Sequence, residues 1–197
     1  MPTMWRSSET VDLLSELDSS HMVEKIIVID NDSSRSKDIS HLEKIKVLIQ
    51  EENIFVNPAW NLGVSIAESE LICLINDDIS LDVNHTFSLA KNHLGKYNCL
   101  GLDKKCFDRK FKNDGSVRLG HHIGSGWGCC IFIKKNKWVD IPEEMKIYRG
   151  DMWICKKCEP VGSLNVKVRT KMSTTSNLPE MNAIKRNDLN YWNKNIR

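Results

Sequence analysis

Two short acidic clusters equip this chain for chemistry. Asp30-Asn31-Asp32 and Asn76-Asp77-Asp78 each follow an aliphatic run, Ile26–Ile29 and Leu71–Ile75. Such runs form buried strands. Open α/β sheets bind their ligands beyond the carboxyl ends of the strands, so two acidic tips at equivalent ends point to one crevice. Carboxylates gathered in a crevice are costly without a cation. Hard cations such as Mg²⁺ or Mn²⁺ take oxygen ligands and pair a carboxylate or two with substrate phosphates. Asn76-Asp77-Asp78 reads on this basis as a metal and diphosphate site. Capping of the following turn is the alternative, because Asp serves that role well.

Other residues carry weaker signals. Asp151 follows Gly150 at the start of a helical stretch, where position alone favours an N-cap. His121-His122 lie in a glycine-rich segment; adjacent residues of an extended chain point to opposite sides, so the pair suits solvent better than one shared metal. Gly124-x-Gly126-x-Gly128 precedes a strand, whereas a dinucleotide-binding fingerprint follows one. Trp127 offers either a sugar platform in an acceptor wall or simple packing. Trp5, Trp60 and Trp153 are expected in the core or as lining. Cys155-x-x-Cys158 has no second pair at zinc spacing and reads as structural.

The elements that must position these groups alternate. Helical spacing covers Ser8–Leu17, Asp38–Ile49, Asn61–Ser69, Asp82–Leu94 and Asp151–Lys157. Strand-like runs cover Lys25–Ile29, Leu71–Ile75, Asn98–Leu102, Cys129–Ile133 and Leu164–Val168. Alternation of this kind implies an α/β fold, a mainly parallel sheet with helices on both faces. The polar, glycine-rich stretch from Asn113 to Gly128 is long enough to expect a functional loop. The chain reads as one domain, 1–197, with an irregular tail from about 170. Pro2-Thr3 looks like the loop after a first strand, yet almost no strand precedes it.

Bulk composition excludes several classes. The 197 residues carry a net charge of +2, from 28 Lys+Arg against 26 Asp+Glu. That balance gives no field for nucleic acid or an anionic membrane. No apolar stretch approaches the ~20 residues of a membrane span, and Met1–Arg6 lacks a signal-peptide core. Seven cysteines without a disulfide spacing fit a reducing compartment, so a cytoplasmic location is expected. The sequons at Asn31 and Asn84 carry little weight without a secretion signal.

Taken in order, Pro2-Thr3-Met4-Trp5-Arg6, Ile27-Val28-Ile29-Asp30-Asn31, Asn61-Leu62-Gly63, Leu74-Ile75-Asn76-Asp77-Asp78 and Gly150-Asp151 resemble the GT-A family of nucleotide-sugar glycosyltransferases. The likeness runs from Met1 to about Val168. Each motif alone is unspecific; five in order are fairly specific. The wording of Met1–Arg6 and the small size are similar to glycosyltransferase domains of chlorella viruses that decorate capsid glycans, which would place the chain in host cytoplasm. The resemblance implies a three-layer α/β/α sandwich. It implies that Pro2, Thr3 and Arg6 line the nucleotide pocket with Asn31. Asp30 would accept from uracil N3–H, and Asn61 would hold base or ribose. Asn76-Asp77-Asp78 takes the place of the family's DxD motif, Asp78 binding metal and Asp77 touching ribose or donor sugar. Asp151 matches the base of inverting members, against the N-cap reading. Two departures stand out: Asn76 replaces a carboxylate, and Lys171-Met172-Ser173 stands where many members supply a metal-binding histidine.

The activity so implied is Mn²⁺- or Mg²⁺-dependent transfer of a sugar, glucose or rhamnose, from a UDP-sugar donor to a hydroxyl of a glycan or glycoprotein acceptor. A nucleotidyltransferase would need a glycine- and lysine-rich phosphate loop that Met1–Glu9 lacks. A glycoside hydrolase would use two carboxylates flanking the sugar but leave the nucleotide-pocket residues unexplained. A non-catalytic binding module of the same fold stays open, given the two departures.

Overall fold

In a strand, successive side chains face opposite ways, and here the two faces bury two separate sets. Cys130 and Phe132 join Leu13, Leu14, Leu17, Val83 and Ala90 in one cluster. Ile131 and Ile133, their neighbours in sequence, join Trp60, Val64, Ile154 and Trp192 in the other. That alternation makes a three-layer α/β/α architecture. The computed structural model describes residues 1–107, 115–119, 126–170, 178–179 and 181–196.

In chain order the elements are β1 (Pro2–Thr3), α1 (Thr10–Ser19), β2 (Ile26–Asp30), β3 (Ile45–Ile49), α2 (Val56–Ile66), β4 (Leu71–Ile75), β5 (Ile79–Leu81), α3 (Val83–His93), β6 (Cys99–Leu102), β7 (Val117–Leu119), β8 (Cys130–Lys134), α4 (Gly150–Lys157), β9 (Val161–Leu164), β10 (Val168–Thr170) and α5 (Met181–Asn195). The first three strands form a parallel sheet, order β1-β2-β3. A second sheet has the order β4-β8-β6-β9-β7. There β8 runs antiparallel between β4 and β6, and only β6 and β9 pair in parallel. The fold is thus α/β with a parallel sheet at its amino-terminal side and a mixed one beyond. β5 and β10 form an antiparallel pair of their own.

Sequence and structure differ in several elements: Pro2–Thr3, expected as a loop, is strand β1, and Val117–Leu119, within the expected loop, is strand β7. The stretch from Asp38 to Ile49, expected as a helix, ends in the strand β3, in register from Ile26↔Ile45 to Asp30↔Ile49. Ile45-Lys46-Val47-Leu48-Ile49 satisfies helical spacing, but its β-branched residues suit an edge strand, and parallel pairing decided the matter. The expected strand Leu164–Val168 splits into the end of β9 and the start of β10. The tail is not irregular: α5 buries Met181, Asp188 and Trp192 at wide helical spacing. Its asparagine-rich surface hid that stripe.

Asp82 caps α3, its carboxylate accepting from the His85 amide at 2.9 Å. α1 is held by its buried leucines, without a side-chain cap. All seven cysteines are free thiols. Cys158 donates its Sγ–H to the Lys137 carbonyl at 3.0 Å within the core. Among the described residues no helix is long and apolar enough to cross a membrane.

Candidate active site

The two acidic strand ends meet through Thr3. Thr3 pairs in register with Asp30 on the β2 side. On the other side its Oγ1 donates to Oδ2 of Asp77 at 2.6 Å. The same oxygen accepts from the Trp5 amide at 2.9 Å, which holds Trp5 in the left-handed region at φ 55°. Thr10, at the start of α1, donates to the Asp77 carbonyl at 3.1 Å. The chain after β4 is therefore gripped by side chains from the first ten residues. Burial pushes the Asp77 carboxyl above its ordinary 3.8; the Thr3 hydrogen bond opposes this, and the charge of Asp78 adds to the rise.

Asp78 is buried at 6% exposure. Across from it the chain enters β8: Asn76 donates its amide to the Cys129 carbonyl at 2.9 Å, just beyond the pair Ile75↔Cys130. Cys129 feels both carboxylates. Burial, then the charge of Asp78, then that of Asp151 push the thiol up to about 12. Asp151 packs on the glycine next door. A Cβ on Gly128 would sit 2.9 Å from Asp151 Cβ and 3.2 Å from Oδ2.

Asp151 stands in the first turn of α4, where the helix dipole favours a carboxylate. Its Oδ1 accepts the Met152 amide at 2.8 Å. Burial nonetheless raises its carboxyl above the ordinary 3.8, opposed by that hydrogen bond and by the Arg149 guanidinium. The helix start is fixed from several sides. Arg149 is left-handed at φ 65°, a conformation that costs ~1–3 kcal/mol in a non-glycine residue. Gly150 admits no side chain, because a Cβ would meet Asn57 Oδ1 at 2.1 Å. The strap before it is clamped by Asp188 of α5, a carboxylate with no exposure. Asp188 accepts the amides of Lys146 at 3.0 Å and of Ile147 and Tyr148 at 2.7 Å each.

The other expected site residues lie as follows. Pro2 is buried in β1 opposite Ile29, and Arg6 is exposed on the loop before α1. Asp30 has no exposure; its oxygens accept from the Asp32 amide at 2.9 Å and from the Ser36 hydroxyl. Its carboxylate thus serves the 30–36 turn. Asn31 accepts the Ile54 amide at 3.2 Å. Asn61 does not join the cluster: its amide donates to the Ile141 carbonyl at 2.8 Å and accepts the Ile141 amide at 3.0 Å, a latch between α2 and the strap. Trp127 is not a platform. It is 1% exposed, its ring lies over Gly101, and its Nε1 donates to the Gly162 carbonyl at 3.3 Å. The absence of a side chain at Gly101 makes the space that draws the indole inward. His121, His122, Gly124 and Lys171-Met172-Ser173 lie outside the described residues.

Among the described residues no group of three His, Cys, Asp or Glu side chains is placed to hold a metal ion. Of the expected ligands Asp78 is a single buried carboxylate, so it fits only a cation that takes its other ligands from outside the chain, as Mg²⁺-type ions do with substrate phosphates and water. Sequence reasoning passed over Asp188 and Cys129. A lone Asp in an asparagine-rich tail carries no signal, and Cys129 sits in an aliphatic run that reads as core.

No protein-family model and no curated protein sequence matches the chain. Solved structures do share its fold. TarS 1-349 of S. aureus superposes with a TM-score of 0.60 at 13% identity, over 83% of this chain and 56% of that one. HddC from Yersinia pseudotuberculosis complexed with GMP-PN gives 0.55 at 14% identity, over 92% and 84%. GalNAc-T7 with UDP, GalNAc and Mn²⁺ gives 0.52 at 12% identity, over 75% and 37%. The chain spans about half the length of the TarS structure. At these identities the likeness is one of fold, an α/β GT-A-like fold. None of it supports the narrower algal-virus resemblance.

Proposed function

We propose that the chain is a glycosyltransferase that moves a sugar from a UDP-sugar to a glycan hydroxyl, with inversion. One observation carries the reading. The turn that carries Asp78 is bonded to the 128–129 segment through the Asn76 amide and the Cys129 carbonyl at 2.9 Å, and Asp151 packs on Gly128 of the same segment, at the sheet end where such folds bind ligands. The shared fold supports it, since GalNAc-T7 was solved with UDP, GalNAc and Mn²⁺.

The donor diphosphate would lie beside Asn76-Asp77-Asp78, with Thr3 keeping Asp77 in place. Asp78 would hold a Mn²⁺ or Mg²⁺ ion, which when bound would neutralise charge on the departing diphosphate. Asn76, neutral where a carboxylate would repel, leaves the diphosphate side less anionic. Asp151 takes the proton from the acceptor hydroxyl as that oxygen attacks the anomeric carbon from the face opposite the leaving group. Its raised pKa suits it as a base, because a stronger base is a better proton acceptor.

A second reading, a nucleotide-sugar or glycan binder without turnover, draws on the sparse metal ligands among the described residues. Thermal shifts with UDP and UDP-sugars, with and without Mn²⁺, followed by assay of UDP release, separate the two. The transferase reading requires a larger stabilisation by nucleotide when Mn²⁺ is present, and metal-dependent release of UDP from one donor. Stabilisation without any UDP release supports the nucleotide-sugar binder; no shift with any nucleotide sinks the transferase and leaves only a glycan binder.

A further inference from the structure

Three irregularities meet at one contact, between the start of α2 and the start of α4. Phe55, just before α2, stands at φ 68° and ψ −179°, a backbone region used almost only by glycine. Arg149, just before α4, is left-handed at φ 65°. Between them Asn57 has no exposure, yet its side-chain oxygen has no hydrogen-bond partner among the described residues. Strained backbone and orphaned buried acceptors persist only where their surroundings impose them, and strain of this kind gathers at functional sites.

The surroundings here do impose them. Asn53 Oδ1 accepts the Phe55 amide at 2.9 Å, and Asn31 Oδ1 accepts the Ile54 amide at 3.2 Å. These two bonds hold the chain as it enters α2. Asn57 then grips the strap before α4. Its main-chain amide donates to the Lys146 carbonyl and its Nδ2 to the Met145 carbonyl, each at 3.0 Å. Asp188 takes amides of that strap, and Asn57 takes carbonyls. With Nδ2 so committed, Oδ1 is turned onto Gly150. A Cβ there would lie 2.1 Å from Oδ1 and 2.7 Å from Cγ, so the amide fills the space that a side chain would need. Asp151 is the next residue, its Oδ1 held by the Met152 amide.

We propose that Asn57 is a positioning residue for the transfer step, acting through Gly150. It seats the first turn of α4 so that the Asp151 carboxylate stands where it takes the acceptor proton. The inference rests on the transferase reading. Packing alone would be served by an apolar side chain of similar size, which leaves no buried oxygen unpaired. An amide serves instead because one end must bind the Met145 carbonyl while the other sets the place of Gly150.

The test uses Asn57→Ala, Gly150→Ala and the two together. Each is read by kcat, by UDP affinity with Mn²⁺, and by NMR titration of the Asp151 carboxyl carbon. Gly150→Ala drives a methyl into the Asn57 amide and is expected to lower kcat about 100-fold, as for a reacting group moved by about 1 Å. Asn57→Ala empties the seat and is expected to lower kcat about tenfold. The double variant gives the methyl room and is expected to recover about tenfold over Gly150→Ala, with UDP affinity unchanged throughout. The Asp151 titration, above the ordinary 3.8 in the parent, is expected to shift in Gly150→Ala and to return towards the parent in the double variant. Losses that add in the double variant overturn the proposal and leave the transferase reading standing. So do parental kcat and titration in Asn57→Ala, the variant that decides the matter should Gly150→Ala not fold. A parent without turnover sinks the transferase reading, and the titrations then show on their own whether Asn57 seats Asp151.

Discussion

The Thr3 hydroxyl donates to the Asp77 carboxylate at 2.6 Å, across a sequence separation that joins the first strand of one sheet to the strand end of the other. The oxygen that donates also accepts the Trp5 amide. Thr3→Val keeps the shape and removes both bonds, leaving buried groups unpaired at ~1–3 kcal/mol. Urea unfolding should show that loss, with Tm lower by ~2–4 °C per kcal/mol for a chain of this size. UDP-sugar turnover should fall as well, because Asp77 loses its tether. An unchanged midpoint would show that the contact contributes nothing.

Asp151→Asn separates catalysis from stability. As a general base the carboxylate is worth ~10²–10⁴-fold, so transfer should drop by at least a hundredfold while UDP still binds by calorimetry. Stability should move the other way. Burial raises the folded-state pKa above the ordinary 3.8, so the folded chain binds this proton more tightly than the unfolded chain. The stabilising contribution is complete below 3.8 and is lost as pH rises through the folded value. The amide has no charge to bury. Its melting temperature should exceed the parent's at pH 7, and the gap should close towards pH 4. Near-parental transfer by the variant would remove Asp151 from the role of base.

Gly128→Ala tests the floor of the site. The added methyl would lie 2.9 Å from Asp151 Cβ, so Asp151 or the turn must shift. A displacement of about 1 Å at a catalytic group costs on the order of 100-fold. The expected signature is a fall in kcat with UDP binding retained. Gly95→Ala, with nothing within 4 Å, is the matched control and should keep full kcat. Parental kcat in Gly128→Ala would show that Asp151 tolerates the crowding.

Asp188→Ala strips three amides of their shared acceptor. Orphaned buried donors cost ~1–3 kcal/mol each, and water entering the gap will satisfy some, so a loss on the order of 3 kcal/mol is expected by urea unfolding. Faster amide exchange at Lys146–Tyr148 should accompany it. Protection unchanged at those three amides would mean that the strap holds itself.

The sequence exposes those parts of the candidate site that directly follow a regular element. Asp77 and Asp78 were legible because an aliphatic run ends at Ile75, and ligand sites follow strand ends. Asp151 was not legible from position: any Asp at a helix start reads as a cap, and only its place in an ordered set of motifs argued otherwise. Trp127 illustrates a limit of residue type. Nothing local says that Gly101, in a strand far along the chain, leaves the space that its ring occupies. Asn61 and Asp188 were opaque for the same reason, since each is defined by a backbone partner distant in sequence, Ile141 for one and the 146–148 strap for the other. Edge strand β3 reads as helix because five of the six aliphatic residues between 38 and 49 also fit one helical face.

The grip of Asp188 on the 146–148 backbone has a bearing on biosynthesis. A ribosome delivers Asp78 and Asp151 well before it delivers α5, and until that last helix docks, the turn leading to Asp151 has no carboxylate to gather its amides. A nascent chain would therefore emerge with Asp78 in place and the turn before Asp151 still loose, and that turn would set only once α5 has followed it out.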